Sequence, residues 1–590
     1  MAKEKKFYVT TPIYYPNDIP HIGHAYTTIA ADVLARWHSL KGENVFFLTG
    51  TDEHGKKIEL AALKKGKKPK EFVDSLIPEF KDAWKKLNIN YNKFIRTTDK
   101  DHEETVKKIL EIMYQKGDIY LGEYEGYYCT SCEGYYTEKD LVDECCPIHK
   151  TKIERLREKS YFFKLSKYQK KLLDLYEKNP NFIQPESRKK EIINRVKEGL
   201  KDLSISRTSF NWGIELPFDK SHIAFVWVDA LLNYISGIDF PKENFKKFWP
   251  ADVHLVGKDI LWFHAVYWPA ILISAGIKPP KTIFAHGWWT FDKEKISKSR
   301  GKVLNINELI NIAGVDSARY FLFRETPFGD DGDFSEQTLI DRHNNELANK
   351  LGNLVSRVSA LAETNGLKKT PNKLIKKLNL KKIEKHFENY ELDKALNEIF
   401  SFIDICNEYV QNKKPWEVNT KNKQEILYEL SDSIKSIAIL LSPFIPETSN
   451  KISNIFNFKI SYDELKSPLQ VSKIKKAPIL FQKIEIKKQE NVKNGKVNNV
   501  NKQDNTNKGK LMLKETVGVL SEGITTMSQI EFKDWEKIDL RVAQIIKVED
   551  ISGADKLYKL TINLGKDLGE RVVCAGIKEF YSKDELKNKQ

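Results

Sequence analysis

Phe7–Trp37 reads FYVTTPIYYPNDIPHIGHAYTTIAADVLARW. Phe7–Thr11 is a short β-favouring run, Pro12–Pro20 is too rich in Pro, Asn and Asp to be regular, and Ala25–Trp37 spaces its apolar residues as a helix does. The expected order is strand, loop, helix, with His21-Ile22-Gly23-His24 at the helix start. Two imidazoles three residues apart share one face of a first turn, where backbone N–H groups and the positive dipole end favour anions. Gly23 has no side chain, so a flat base or ribose can approach the backbone there. In isolation such a motif more often marks an ordinary helix start, and its meaning depends on the downstream chain.

The next β-favouring run, Asn44–Leu48, leads into Thr49-Gly50-Thr51-Asp52-Glu53-His54-Gly55. A hydrophobic strand ending in a Gly/Thr/Asp loop before a helix is the layout of a parallel α/β sheet, whose ligands sit at the carboxyl ends of the strands. Asp52 is therefore expected beside the first loop, with a helix N-cap as its bland alternative. Val253–Trp268 repeats the grammar: a strand, Gly257-Lys258-Asp259, then a helix placing Leu261, His264 and Trp268 on one face. Patterning alone makes those aromatics core, and the polar His264 among them hints at a pocket. Ser221–Tyr234, SHIAFVWVDALLNY, reads as a further strand and helix. Ile283–Trp289 is one more strand. It precedes Lys295-Ile296-Ser297-Lys298-Ser299, two lysines in a basic loop able to fold over a triphosphate.

The chain has 590 residues, 41% hydrophobic and 30% charged, which is enough for several cores. A net charge of +15 and a pI near 9.1 fit a polyanionic partner, although much of the lysine solvates helix faces. No apolar run reaches membrane-spanning length and the start lacks a signal-peptide core, so a cytoplasmic protein without a membrane partner is expected. Six cysteines are too few for a disulfide framework. Four fall in one Tyr-rich segment, where Cys129-x2-Cys132 and Cys146-x2-His149 have the spacing of a closed tetrahedral zinc site. Cys145 competes with Cys146, but only Cys146 restores the x2 spacing. Short hairpins around it would need such a staple, and four protein ligands leave no open catalytic position.

HIGH after the first strand and KISKS after the last resemble the class I aminoacyl-tRNA synthetases. Within them the chain resembles the methionyl-tRNA synthetases, through TPIYYPNDIPHIGHAYT, FLTGTDEHG, the Cys-rich knuckle, FVWVDALLNYIS, VGKDILWFHAVYWPAIL and HGWWT before KISKS. One departure is Ile296, where Met is commoner; it alters packing and not charge.

The resemblance implies an α/β Rossmann-type parallel-sheet catalytic domain in two halves, 1–117 and 223–334, around a connective insertion, 118–222, that carries the zinc knuckle. An α-helical anticodon-binding bundle at 335–484 fits the helical periodicity there. A Lys/Asn-rich linker at 485–527 has a disordered composition, and 528–590 looks like part of an OB-fold tRNA-binding module, ending before the remaining strands of such a barrel. That module is therefore truncated, completed by a partner or unstable, and a homodimer through it is the family's pattern.

By the same resemblance, His21, Gly23, His24, Gly257, Asp259 and Lys298 bind ATP, with His21, His24, Lys295 and Lys298 catalytic. Asp52 anchors the methionine ammonium, while Ile13, Tyr15, Trp227, Ala230, Tyr234, Ile260, His264 and Trp268 enclose the thioether. Asn353, Arg357 and Trp416 read the anticodon. ATP enters with Mg2+, one structural Zn2+ sits in the knuckle, and the partners are L-methionine, ATP and methionine tRNA. Other class I synthetases are disfavoured because the HIGH-to-KISKS segment is too short for a branched-chain editing domain, and a cysteine enzyme would place zinc in its amino-acid pocket. Intact His21, His24 and Lys298 oppose a catalytically silent RNA-binding protein.

Overall fold

The computed structural model describes residues 5–129, 134–136, 141–147, 150–291, 294–295, 304–417, 421–471, 473–485, 543–551, 554, 556–565, 568–578 and 580–587. The chain divides into a unit of residues 1–489 and a second of residues 490–590.

The first unit is built on a six-stranded sheet of β1 (Lys6–Tyr14), β2 (Asn44–Thr51), β3 (Lys93–Arg96), β4 (Ile183–Gln184), β5 (Val253–Gly257) and β6 (Ile283–His286). Their spatial order is β3-β2-β1-β5-β6-β4, and every pairing is parallel. The strand order reverses at β1, which has β2 on one side and β5 on the other, and a crevice opens beyond the carboxyl ends of strands at such a switch point. β4 comes from within 118–222, so that segment supplies the sheet's edge strand. β1 runs three residues beyond the expected stop at Thr11. A register shift against β2 between Thr10 and Ile13 absorbs Pro12, which has no N–H for the ladder.

Residues of alternate parity point to opposite faces of the sheet. Phe7 and Val9 join one core with helix α1 (Ile22–Leu40), while Tyr8 joins the other with Leu48, Trp227, Tyr234 and Trp268. The first core continues into the helices Asn353–Asn365, Leu392–Lys413 and Lys423–Leu441, so the helical region shares its apolar interior with α1.

Three expectations need correction. The Ile283–Trp289 strand stops at His286; Gly287 and Trp288 turn the chain, and Trp289–Phe291 pairs with Gly332–Phe334 in a separate small sheet. Asp219–Ala224 lies in a three-stranded sheet of its own, antiparallel to its neighbours. The helix after Gly257 starts as a 3-10 turn and contains one π-helical stretch, Phe263–Tyr267, around His264.

The Tyr-rich segment pairs Ile119–Cys129 antiparallel with Glu154–Phe163, a longer ladder than the short hairpins expected, and Tyr127–Cys129 also pairs with Gly134–Tyr136. In the second unit, Gln544–Asp550, Tyr558–Asn563 and Glu570–Ala575 form a three-stranded antiparallel meander. They lie in the segment expected to resemble part of an OB-fold module. Among the described residues, no helix is long and apolar enough to cross a membrane.

Candidate active site

His21 is the N-cap of α1, and Gly23 and His24 lie in its first turn. The His21 Nδ1 accepts the Gly23 N–H at 3.1 Å, and His24 Nδ1 accepts the His21 N–H at 3.1 Å. Both imidazoles thus perform the reciprocal capping usually left to Ser and Glu, and each neutral ring carries its proton on Nε2, a donor. The rings lie 3.9 Å apart. A Cβ on Gly23 would sit 3.0 Å from His21 Cε1, so glycine is what lets the His21 ring fold over the turn. Leu304 O accepts the Ile22 N–H at 3.2 Å and Asn305 bridges His21, which brings the chain beyond the KISKS loop against the HIGH turn.

Lys295 lies in the two-residue strand Glu294–Lys295, paired with Trp289–Phe291. Lys298 falls outside the described residues, as do Cys132 and His149 of the knuckle.

The carboxyl end of β5 supplies the next acid. Asp259 occupies the 3-10 turn Lys258–Ile260 and its Oδ1 accepts the Trp288 Nε1–H at 3.1 Å. A Cβ on Gly257 would lie 2.5 Å from that oxygen, so glycine is required for the carboxylate to fold back.

The proposed thioether residues come together. Trp227, Tyr234 and Trp268 are buried in one cluster, and Ile13, Tyr15 and Ile260 pack against it. Ala230 is buried on the Val226–Leu231 helix with Trp227. His264 donates Nδ1–H to Ile260 O at 2.9 Å, which leaves Nε2 to accept the Tyr234 hydroxyl at 2.7 Å. Burial holds its pKa down to about 4, outweighing the opposing Ile260 carbonyl bond and the charge of Asp259, so the ring is neutral at pH 7. Beneath it, His254 stacks on Tyr234 at 4.1 Å and accepts from Trp268 Nε1 at 3.2 Å. Burial and then the charge of His264 push its pKa well below the ordinary value.

Asp52 follows β2 directly, buried, with its N–H bonded to Tyr14 O at 2.9 Å. Sequence reasoning passed over the residues around it. The Glu53 carboxylate, wholly buried, receives a two-pronged bond from Arg96 at 2.6 and 2.8 Å and hydroxyl bonds from Thr51 and Thr98. Asp229 takes the Nδ1 of His54 on one oxygen and the Nε2 of His102 on the other, both at 2.7 Å. The His102 Nδ1 lies 2.8 Å from Ser236 Oγ. Burial disfavours a charged His54, but the Asp229 carboxylate outweighs it by charge and hydrogen bond, and the pKa rises. Burial likewise works against the Asp229 carboxylate, and the two histidines overcome it and lower its pKa. Asp229 lies two residues from Trp227, so this knot ties the Asp52 loop to a pocket helix.

Cys129 and Cys146 are both buried and both meet Thr151: its Oγ1 lies 3.7 Å from Cys129 Sγ, and its carbonyl accepts the Cys146 N–H at 2.9 Å. Cys145 is half-buried. Among the described residues, no group of three metal-ligating side chains occurs. In the helical region, Arg357 stacks its guanidinium over Trp416, 5.8 Å from the ring centroid. Trp416 is 42% exposed, and Asn353 is exposed one turn before Arg357.

The family described as tRNA synthetases class I (M) matches residues 7–155 and 138–359, which include the HIGH turn, the pocket and the KISKS loop. The chain belongs to the methionine–tRNA ligases. This synthetase is 43% identical to the methionine–tRNA ligase of Caldanaerobacter subterraneus subsp. tengcongensis over 100% of the chain and 93% of that protein. It is 42% identical to that of Campylobacter jejuni over 99% and 92%. Among solved structures, a Mycobacterium tuberculosis methionyl-tRNA synthetase in complex with methionyl-adenylate superimposes with a TM-score of 0.78 at 39% identity, covering 81% of this chain and 99% of that one. The family of anticodon-binding domains of tRNA ligases matches residues 374–513, and a putative tRNA-binding domain matches 540–590. The synthetase is therefore an α/β parallel-sheet enzyme with a helical anticodon domain and a C-terminal β module.

Proposed function

We propose that the enzyme activates L-methionine with ATP and transfers it to methionine tRNA through the residues gathered at the β1–β5 crevice. What supports this reading is a chain of contacts: Asp52 bonds Tyr14 O beside the His24 ring and acts electrostatically on Tyr234, whose hydroxyl bonds His264, which in turn feels the charge of Asp259. Asp52 meets the α-ammonium. Aromatic faces of Trp227 and Trp268, with Ile13, Tyr15, Ala230 and Ile260, enclose the polarizable thioether, and the neutral His264–Tyr234 pair sets no full charge beside it. Asp259 holds the ribose, and Gly23 and Gly257 admit the nucleotide to the backbone. Positioned by these groups, the methionine carboxylate attacks the α-phosphorus; the new C–O–P bond forms as the bond to the pyrophosphate oxygen breaks. The His21 and His24 Nε2–H groups donate to the charge that develops on the phosphates, and Lys295 and Lys298 neutralise the leaving pyrophosphate. The triphosphate would enter with Mg2+, which would help to balance its charge. A 3′-terminal ribose hydroxyl of the tRNA then attacks the mixed anhydride and AMP leaves.

Cys129 and Cys146, both buried and both against Thr151, suit a structural zinc completed by Cys132 and His149. Arg357, Trp416 and Asn353 form a stacking platform with a neighbouring amide, which suits unstacked anticodon bases. The C-terminal module, through which the family's pattern would form a homodimer, adds tRNA affinity in a cytoplasmic enzyme.

One set of assays tests this reading. ATP–pyrophosphate exchange should depend on methionine and fall at least about tenfold in His24→Ala or Lys298→Ala, as loss of one transition-state donor requires. Trp416→Ala should spare exchange and lower charging by about one to two powers of ten. Cys132→Ser should lose one zinc per chain. Equal exchange with leucine or cysteine would refute the specificity.

A further inference from the structure

We propose that Trp288 is a positioning residue for the ribose subsite, held by a Lys258–Asp331 clamp that fixes the carboxylate of Asp259. This rests on the ribose reading of Asp259 above. The indole Nε1–H donates to Asp259 Oδ1 at 3.1 Å, while the backbone N–H of the same tryptophan donates to Asp331 Oδ1 at 2.7 Å. Lys258, the neighbour of Asp259, grips both oxygens of Asp331 at 2.8 and 2.6 Å, and its ammonium lies 4.2 Å from the centroid of the Trp288 ring. The ring is thus fixed at its backbone, at its face and at its N–H. A lysine 17% exposed and bonded to a carboxylate sits in a medium where cation–π attraction exceeds its value in open water.

Two glycines make the clamp possible. The Gly257 hydrogen gives room to Asp259 Oδ1, and at Gly287 a Cβ would lie 2.3 Å from the backbone of Asp330, so the turn carrying Asp331 packs flat against the residue before Trp288. The clamp also reaches the KISKS side of the site. Gly332 N–H donates to Trp288 O at 2.8 Å, and Gly332–Phe334 pairs in parallel with Trp289–Phe291, the strand against which Lys295 is paired. A displaced tryptophan therefore disturbs the ribose acid first; of the methionine-pocket residues Ile260 shares the Lys258–Ile260 turn, while Trp227, Ala230 and Tyr234 lie on other elements.

The test is methionine-dependent ATP–pyrophosphate exchange with ATP, 2′-deoxy-ATP and 3′-deoxy-ATP, using Trp288→Phe, Lys258→Met and Asp259→Ala. Trp288→Phe keeps an aromatic face and removes the N–H with the pyrrole part of the indole. It should raise the KM for ATP three- to tenfold while kcat and the KM for methionine stay within twofold, and Lys258→Met should move the same constants by less. Asp259→Ala should lose its penalty with whichever deoxynucleotide lacks the hydroxyl that Asp259 reads. With that same nucleotide the Trp288→Phe penalty should shrink below twofold, because the indole acts only through Asp259. A Trp288→Phe penalty equal for all three nucleotides, alongside an Asp259→Ala penalty that vanishes with one, overturns the clamp while sparing the ribose reading. An Asp259→Ala penalty equal for all three overturns the ribose reading and the clamp with it. Circular dichroism and retained methionine KM separate either result from misfolding, and Asp331→Asn, which keeps the shape of the carboxylate, supplies a second variant with the same expected nucleotide pattern.

Discussion

Two buried imidazole sites flank the elements proposed to bind the amino acid and are driven in opposite directions. His264, 2% exposed, hydrogen-bonds a tyrosine hydroxyl and a backbone carbonyl, and burial pushes its pKa down to about 4. His54, 4% exposed, faces the Asp229 carboxylate, and its pKa rises despite the same desolvation. Burial sets the penalty for charge, but the partner decides whether it is met. The protein thereby keeps a neutral wall at the proposed thioether pocket and an ionic joint beside the Asp52 loop.

The largest expected effect comes from breaking the ionic joint. Asp229→Asn removes the charge that supports His54 and leaves His54 and His102 facing an amide. Loss of one member of a buried pair is worth roughly 3 to 5 kcal/mol, and equilibrium denaturation should show a drop of that size. A drop below about 1 kcal/mol would mean that the joint is not charged.

A smaller effect concerns pH. Between the lowered folded pKa of His264 and the ordinary value near 6.5, the unfolded chain holds a proton that the folded chain does not, so stability rises with pH across that window. From pH 5 to pH 7 this amounts to about 2 kcal/mol, and His264→Gln should remove it from the difference between the two denaturation curves. His54 has the reverse sign: its contribution is complete below the unfolded value near 6.5 and disappears as pH rises through the raised folded pKa. Asp229 stabilises above its ordinary carboxylate value and loses that contribution as pH falls through its lowered folded pKa. His54→Gln should therefore leave the acid-side slope in place and remove stability near and below pH 6.5.

The smallest effect is on substrate. His264→Gln retains a polar group but loses the ring that aligns the Tyr234 hydroxyl, and the methionine KM should rise about tenfold, the equivalent of roughly 1.4 kcal/mol. An unchanged KM would place the thioether elsewhere.

The two sites also differ in how far the sequence discloses them. The neutral wall was legible because His264 and Trp268 sit four residues apart in one apolar run, so local spacing puts them together. The π-helical stretch that surrounds His264 had no such signature. The ionic joint joins residues 175 and 127 positions apart, and no spacing rule connects them. A signal was nonetheless present: Asp229 is a lone charge inside the apolar run FVWVDALL, and a carboxylate there must find partners or stay out of the core. Glu53 carried the same hint at the end of an apolar strand. The turn at Gly287 and Trp288 was hidden by high β propensity, because close approach to Asp330 is a tertiary demand.

The opposed charge states are open to one direct measurement, the pH titration of 15N-labelled histidine rings by NMR, with His54 and His264 assigned through the signals missing from His54→Gln and His264→Gln. His54 should still hold protons on both nitrogens in more than half of the molecules at pH 6.5, while His264 should remain singly protonated, on Nδ1, at pH 5. A neutral His54 at pH 6.5, or a His264 that charges above pH 6, would contradict the account.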